Sequence, residues 1–544
     1  MEQRALLAIV LSLMILVGYQ VLFAPTNPVA PGLTPVQAPA SAPVRDIAPA
    51  PSVPASQDAA ATRAAPANNA AAWSRPVDAK EDRVEVATPL YRAVLTSFGG
   101  RLAAFELTDY RLTTAPDSPP LDLVRSDSIL PLGVSWRVAD GSIRDDAQLA
   151  YILEVDDSRL TDGEQSEVRM VASAPDGTRV RKTLTFVGGS SLVDVAIEVE
   201  GGTGPVGVGW ARKLDPSAGS YYVAEGPASY VEDTLESINA SGMEEPESFS
   251  GLTSWAGYAT HYFLTAYVPA EPRQLELRGT ISGDVGVSTL WDSAAEGSVR
   301  YQLFAGPKTV KLLDDLGHDL RGAVNLGWFS IVANPLLYLL LLIEKMLGNY
   351  GLAIIVLTVL IRLLLWPVNA RQMQAMKGMQ RIQPEMKRLQ ERHKDDRDAL
   401  NKEMMELYRR HKVNPLSGCL PMVLQLPFFI GLYNVLMQAI ELRHAPFFGW
   451  IMDLSQPDRL GTLAIPFVTP PGIPVMTLLM GASMILQQRM TPATGDPQQA
   501  RMMMLMPVVF TVMFVNFPAG LVLYWLANNL LSIGQQALAE RSKA

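Results

Sequence analysis

The fold class this sequence predicts is a multi-pass α-helical membrane protein carrying a large all-β domain, an antiparallel β-sandwich. Three observations predict it. Of 544 residues, 48% are hydrophobic and 18% charged, a balance that suits a chain partly in water and partly in lipid. Residues 80–310 alternate apolar and polar side chains in short runs, and beyond residue 327 the apolar runs become long. Charge divides the same way: residues 25–330 hold 24 Lys and Arg against 40 Asp and Glu, whereas residues 371–412 hold 12 against 7. The acidic block is expected outside the membrane and the basic block inside.

Residues 5–24 are apolar over about 20 positions, enough to span a bilayer. Val21, Leu22 and Phe23 crowd the small-residue cleavage site a signal peptide would offer at Ala24, so residues 1–24 are expected to remain as a transmembrane anchor. Residues 25–79, rich in Ala and Pro, read as a disordered, semi-stiff tether. Across residues 80–318, runs such as 83–87, 92–98, 179–187, 192–200 and 299–304 alternate between Gly, Asp and Pro breaks, which indicates the sandwich. His261, the one histidine between Arg83 and Lys308, leaves little for paired acid and base chemistry and argues against a carbohydrate-acting enzyme. It is expected to be an isolated loop or strand-edge residue. Cys419 is the single cysteine, which excludes an internal disulfide framework, and no CxxC or His/Cys cluster offers a zinc site.

Residues 319–348 read as a linker and an interfacial amphipathic helix, because the apolar stretch 335–347 is too short to span. Five core helices are expected over 349–540. The first, residues 351–367 (GLAIIVLTVLIRLLLWP), carries Arg362 near its middle, with Thr358 on the same face four residues earlier. Such a charge costs about 2.5–3.5 kcal/mol on insertion scales, so it either snorkels past Pro367 to the interface or faces a hydrated groove. Residues 371–412 form a basic helical hairpin: Met376, Met379, Ile382, Met386 and Leu389, then Leu400, Met404 and Leu407, keep helical spacing on either side of an aspartate-capped turn. Its methionines are read as either a plastic surface for apolar segments or ordinary packing. Further spans are expected at 414–440, at 465–487, and at 503–538 broken by Phe517-Pro518-Ala519-Gly520. The arm 503–516 is short, at about 21 Å, which implies local bilayer thinning. With the anchor, this makes six spans and places both termini on the inner side.

The segments NPLSGCLP, QLPFFIGLY and FPAGLVLYWLANNLLSIGQQ follow, in that order, a span ending IRLLLWP. Over residues 325–540 they resemble the YidC-type membrane protein insertases of the YidC/Oxa/Alb family. The outer domain, with TSFGGRL and HYFLTAYVP, and the amino-terminal anchor resemble the Gram-negative branch more loosely. The resemblance implies a bacterial inner-membrane protein with a periplasmic β-sandwich and cytoplasmic termini. It also implies an intramembrane groove, closed toward the outside, and Thr358, Arg362, Gln425 and Trp525 are the expected groove residues, with Tyr524 and Asn528.

Those polar groups sit at depth on separate helices, a pattern that favours hydration over simple interhelical glue. The expected function is insertion and folding of inner-membrane proteins, alone or with the Sec translocon. It proceeds without catalytic residues, cofactor or metal, and no GxxxxGK[ST] loop is present. Nascent membrane proteins and the bilayer are the expected partners, with Sec translocon subunits beside them. The ribosome is a weaker partner, since the chain ends without a long basic extension. The alternative is a small-solute transporter or channel with a periplasmic binding domain, which internal repeats would favour; none is evident.

Overall fold

The computed structural model describes residues 80–541 apart from 127–128, 139, 203, 214–224, 241–242, 244, 283, 394–395, 412–419, 467 and 491–496. The expected anchor (1–24) and tether (25–79) lie outside the described residues. Residues 83–307 form two antiparallel sheets, one of four strands and one of fourteen. Strands Gln165–Ser173, Arg179–Val187 and Leu192–Glu200 bury every second side chain, the period-two pattern of a sheet with one covered face. Trp136, Trp210, Trp255, Tyr91, Tyr267 and Phe105 fill the interior.

A charged knot fastens this domain. Lys182 is fully buried, 2.6 Å from Asp146 Oδ2, and donates to the carbonyls of Gly99, Gly100 and Leu132 at 2.7–2.9 Å. Arg101 bonds Asp146 Oδ1 at 2.7 Å and the Tyr151 hydroxyl bonds Oδ2 at 2.9 Å. Gly99 and Gly100 have φ of 68° and 54°, the left-handed turn that presents both carbonyls to the ammonium, and so TSFGGRL is a binding loop for an internal lysine.

Helices follow: α1 (Val310–Leu316), α2 (Ser330–Leu347), α3 (Tyr350–Leu364), α4 (Trp366–Arg392), α5 (Arg397–Arg410), α6 (Leu420–Gln438), α7 (Val475–Met490), α8 (Pro497–Phe514) and α9 (Ala519–Arg541). In the core, α9 packs on α7 and α3, and α2 packs on α6 and α3. Helices α4 and α5 make the hairpin, with Ile382, Met386 and Leu407 buried between them and the Asp396 carboxylate capping α5 through the Ala399 amide at 2.9 Å. Met386 and Met404 therefore pack inside the hairpin; the side chains of Met376 and Met379 lie outside the described residues.

Four boundaries differ from expectation, and proline bears on the first three. Helix α2 begins five residues before Pro335 and reaches 18 residues; it is the one described helix both long and apolar enough to cross a membrane. Pro335 interrupts only one backbone bond near the start, so the reading "too short to span" fails on length. Pro367 opens α4 rather than closing α3, since the first helical turn needs no amide from it. Helix α7 starts at Val475, ten residues later than expected, because Pro466, Pro470, Pro471 and Pro474 hold the preceding segment out of helix. Helix α8 has 18 residues, four more than the expected arm, although its apolar part is only Met504–Phe514.

The sandwich sits on one end of the helical core. His261, expected to be isolated, stacks on Tyr262 at 4.0 Å and bonds the carbonyl of Met437 at 2.5 Å, which satisfies an open acceptor in the last turn of α6. Arg443, just beyond α6, donates to the carbonyls of Arg111 and Leu112 at 2.6 and 3.2 Å and lies over the Phe263 ring. The hairpin follows the other end of α3, so sandwich and hairpin occupy opposite ends of the core.

Two outcomes follow from these contacts. Removing one partner of a buried ion pair strands the other, so Lys182→Ala should lower sandwich stability by about 3–5 kcal/mol, read as thermal loss of the β-sheet circular dichroism signal. Burial pushes the His261 pKa down from 6.5 to about 4, with buried Lys308 opposing its charge. The undocked state therefore binds more protons between those values, and docking should weaken as pH falls from 6.5 toward 4, a dependence that His261→Gln should flatten in pH-resolved thermal melts.

Candidate functional site

Helix α3 is apolar along most of its length, and its one cation, Arg362, stands in the last turn rather than mid-helix. A cation there meets the negative end of the helix dipole, which offsets part of its cost. The side chain does not stand free. It reaches across to α9, where Nε donates to Asn528 Oδ1 at 3.0 Å, Nη1 to Gln535 Oε1 at 3.1 Å, and Nη2 to the Asn528 carbonyl at 3.0 Å and to Ser532 Oγ. Asn528, Ser532 and Gln535 are spaced four and three apart, so one face of α9 presents all these acceptors. Among the described residues every partner of the guanidinium is neutral. Four of its five N–H groups are bonded in this way, and none of those partners carries a negative charge.

A second polar face ties α9 to α7. Asn529, buried, donates to Ser483 Oγ at 3.0 Å, and Gln536 bonds the Met490 carbonyl at 2.5 Å. Helix α9 is thus fixed on one side while it offers acceptors to α3 on another. Its amino end is held as well, since the amides of Ala519 and Gly520 donate to the carbonyls of Gln456 and Leu454 at 2.8 Å each.

Aromatic rings cluster on the sandwich side of the site. Trp525 meets Phe429 edge-on at 4.9 Å and Phe514 at 4.7 Å, with Phe510 at 5.8 Å; Tyr524 is buried and stacks toward Phe429 at 6.3 Å. Phe514 stacks on Phe517 at 4.6 Å. From this plug the acceptors Asn528, Ser532 and Gln535 run toward the hairpin end of α9 over about 10 Å.

The structure thus joins Arg362 with Asn528, and sets Tyr524 and Trp525 both against Phe429. Thr358 is buried, its hydroxyl spent on the Ile354 carbonyl at 2.6 Å, so it contributes packing rather than an open polar group. Gln425, partly exposed, stands one turn before Phe429 on α6. Sequence reasoning missed Ser532 and Gln535. Their spacing from Asn528 was the available signal, legible only once an unpaired arginine was set opposite that face. Among the described residues no group of three or more His, Cys, Asp or Glu is placed to hold a metal.

The protein is thus, by its geometry, a helical core that holds a cation among neutral acceptors beside a cluster of aromatic rings and bears a β-sandwich on one end. Residues 342–544 match the family model described as 60Kd inner membrane protein, and residues 83–339 match the YidC periplasmic domain. The membrane protein insertase YidC of Syntrophus aciditrophicus is 39% identical across 98% of this chain and 99% of its own length. That of Pelobacter propionicus is 38% identical across 98% of both. A crystal structure of an active YidC insertase aligns at 20% identity and a TM-score of 0.38, covering 85% of this chain and 93% of its own. The chain belongs to the YidC membrane protein insertase family, on the strength of the sequence matches. An inner-membrane protein with a periplasmic β-domain, the expected fold class, follows from that membership.

Proposed function

We propose that this chain inserts membrane proteins into the inner membrane by lending Arg362 to the polar flank of an incoming segment. The observation that carries the reading is the state of that arginine, held in place by neutral acceptors with its charge uncompensated. At about 4 Å in a partly hydrated site, a substrate carboxylate gains roughly 4 kcal/mol of Coulomb energy that an amide acceptor does not supply. Exchange of Asn528 or Gln535 for that carboxylate is therefore favourable, and reversible once the flank moves on. Release follows as the apolar segment enters lipid, at about 0.8 kcal/mol per buried CH₂. No bond is made or broken, and the protein acts as an insertase and chaperone rather than an enzyme.

The periplasmic assignment of the sandwich sets the remaining orientation in this reading. The hairpin then faces the cytoplasm, as do both termini, and the polar face of α9 opens toward the hairpin while the aromatic plug closes the periplasmic side. Residues 1–24 serve as an anchor and 25–79 as a tether, for six spans in all. Nascent membrane proteins and lipid are the partners, and Sec translocon subunits are the further partner to test.

Photocrosslinkers at Gln425 and Trp525 should capture nascent membrane proteins, whereas solute flux in proteoliposomes without such capture would favour a transporter. Arg362→Lys should retain activity through its charge, although it loses the guanidinium fork. Arg362→Ala should slow insertion about tenfold for a substrate with an acidic tail, and little for the same substrate with a neutral tail. Equal losses for both tails, measured side by side, would remove the electrostatic role.

A further inference from the structure

Where the sandwich meets α2, a cavity of about 440 Å³ lies between Tyr230, the short turn Leu320–Ala323, and the first turn and a half of α2. Its charge is mixed. Arg321 spends two N–H groups on the Val324 carbonyl and Asn334 Oδ1, at 3.3 and 2.6 Å, and keeps others for a ligand. Asp319 lines the same cavity, steadied by the Ser254 hydroxyl at 2.8 Å, and Asp314 lies 3.6 Å from Arg321. One cation and two carboxylates disfavour a bare anion. They suit a zwitterion, with phosphate at Arg321 and Ser330 and an ammonium at Asp319 beside the Tyr230 ring.

The cavity adjoins an apolar stripe. Trp328, Ile331, Leu342 and Met346 are 85%, 83%, 56% and 79% exposed, and Tyr338, on the same side of α2, is 52% exposed. Ser330 and Asn334 of the cavity are helix neighbours of Ile331 and Tyr338, so a polar cup and a strip able to carry hydrocarbon share one edge of α2. A soluble metabolite needs only the cup. A lipid needs both.

We propose that this cavity binds the phosphoethanolamine headgroup of a phospholipid from the leaflet on the sandwich side, with its acyl chains along the Trp328–Met346 stripe. The site goes beyond the insertase reading and does not depend on it. It would seat the sandwich and α2 at a fixed depth by gripping one lipid.

Native mass spectrometry of the full chain in detergent, titrated with phosphatidylethanolamine and phosphatidylglycerol of identical chains, tests this. The wild type should retain phosphatidylethanolamine about tenfold more strongly than phosphatidylglycerol, Arg321→Gln should lose that retention, and Asp319→Asn should narrow the preference to about twofold while leaving the fold intact. Free O-phosphoethanolamine should compete only weakly, because it lacks the chains. Equal retention of the two lipids by the wild type, or unchanged retention in Arg321→Gln, would overturn the site. Competition by O-phosphoethanolamine at concentrations equal to the lipid would overturn the lipid as its occupant.

Discussion

A guanidinium on an apolar helix needs acceptors from within the protein wherever water does not reach it, and that need shapes the helical core. Arg362 meets it by crossing to α9, which has to carry acceptors four and three residues apart and stay at hydrogen-bonding distance from α3. The second set of contacts, Asn529 to Ser483 and Gln536 to the Met490 carbonyl, holds α9 against α7, so its position does not depend on the arginine alone. Neutral acceptors are the telling choice. A carboxylate in their place would neutralise the charge, at the expense of any attraction for an incoming acidic group.

The two ends of the core are built differently. On the sandwich side, α6 ends against His261, α9 begins against the carbonyls of residues 454 and 456, and the Phe429, Phe510, Phe514 and Trp525 rings fill the space between. Toward the hairpin, the acceptors of α9 continue past Arg362, and apolar side chains such as Leu363 and Leu364 are exposed. Under the proposed function, an incoming segment meets the aromatic end as closed and the hairpin end as open. The sandwich itself is fastened by the Lys182–Asp146–Arg101 knot and rests on the core through Arg443 and His261.

Much of this was legible in the sequence, for reasons that differ by element. Strands such as Arg179–Val187 announced themselves because one covered face imposes strict alternation. Arg362 stood out because a charge in an apolar run is costly enough to need a reason. Prolines misled, because the same residue ends one helix and opens another: Pro367 begins α4, and Pro335 lies within α2. Contacts distant in sequence were invisible. Nothing near His261 signals Met437, and Ser532 and Gln535 look like ordinary polar residues at a helix end until Arg362 is set across from them. The hydroxyl of Thr358 donates to its own helix, a local bond that the residue's spacing does not display.

The central claim is that water reaches Arg362 from the hairpin side and stops at the aromatic plug. Single cysteines placed at Gln535, Ser532 and Phe514 in a Cys419→Ser background, probed in sealed vesicles with a membrane-impermeant maleimide from each side, test it directly. Labelling of positions 535 and 532 from the hairpin side, with position 514 protected from both sides, is the result this account predicts. Protection of 535 and 532, or their labelling from the sandwich side, would contradict it.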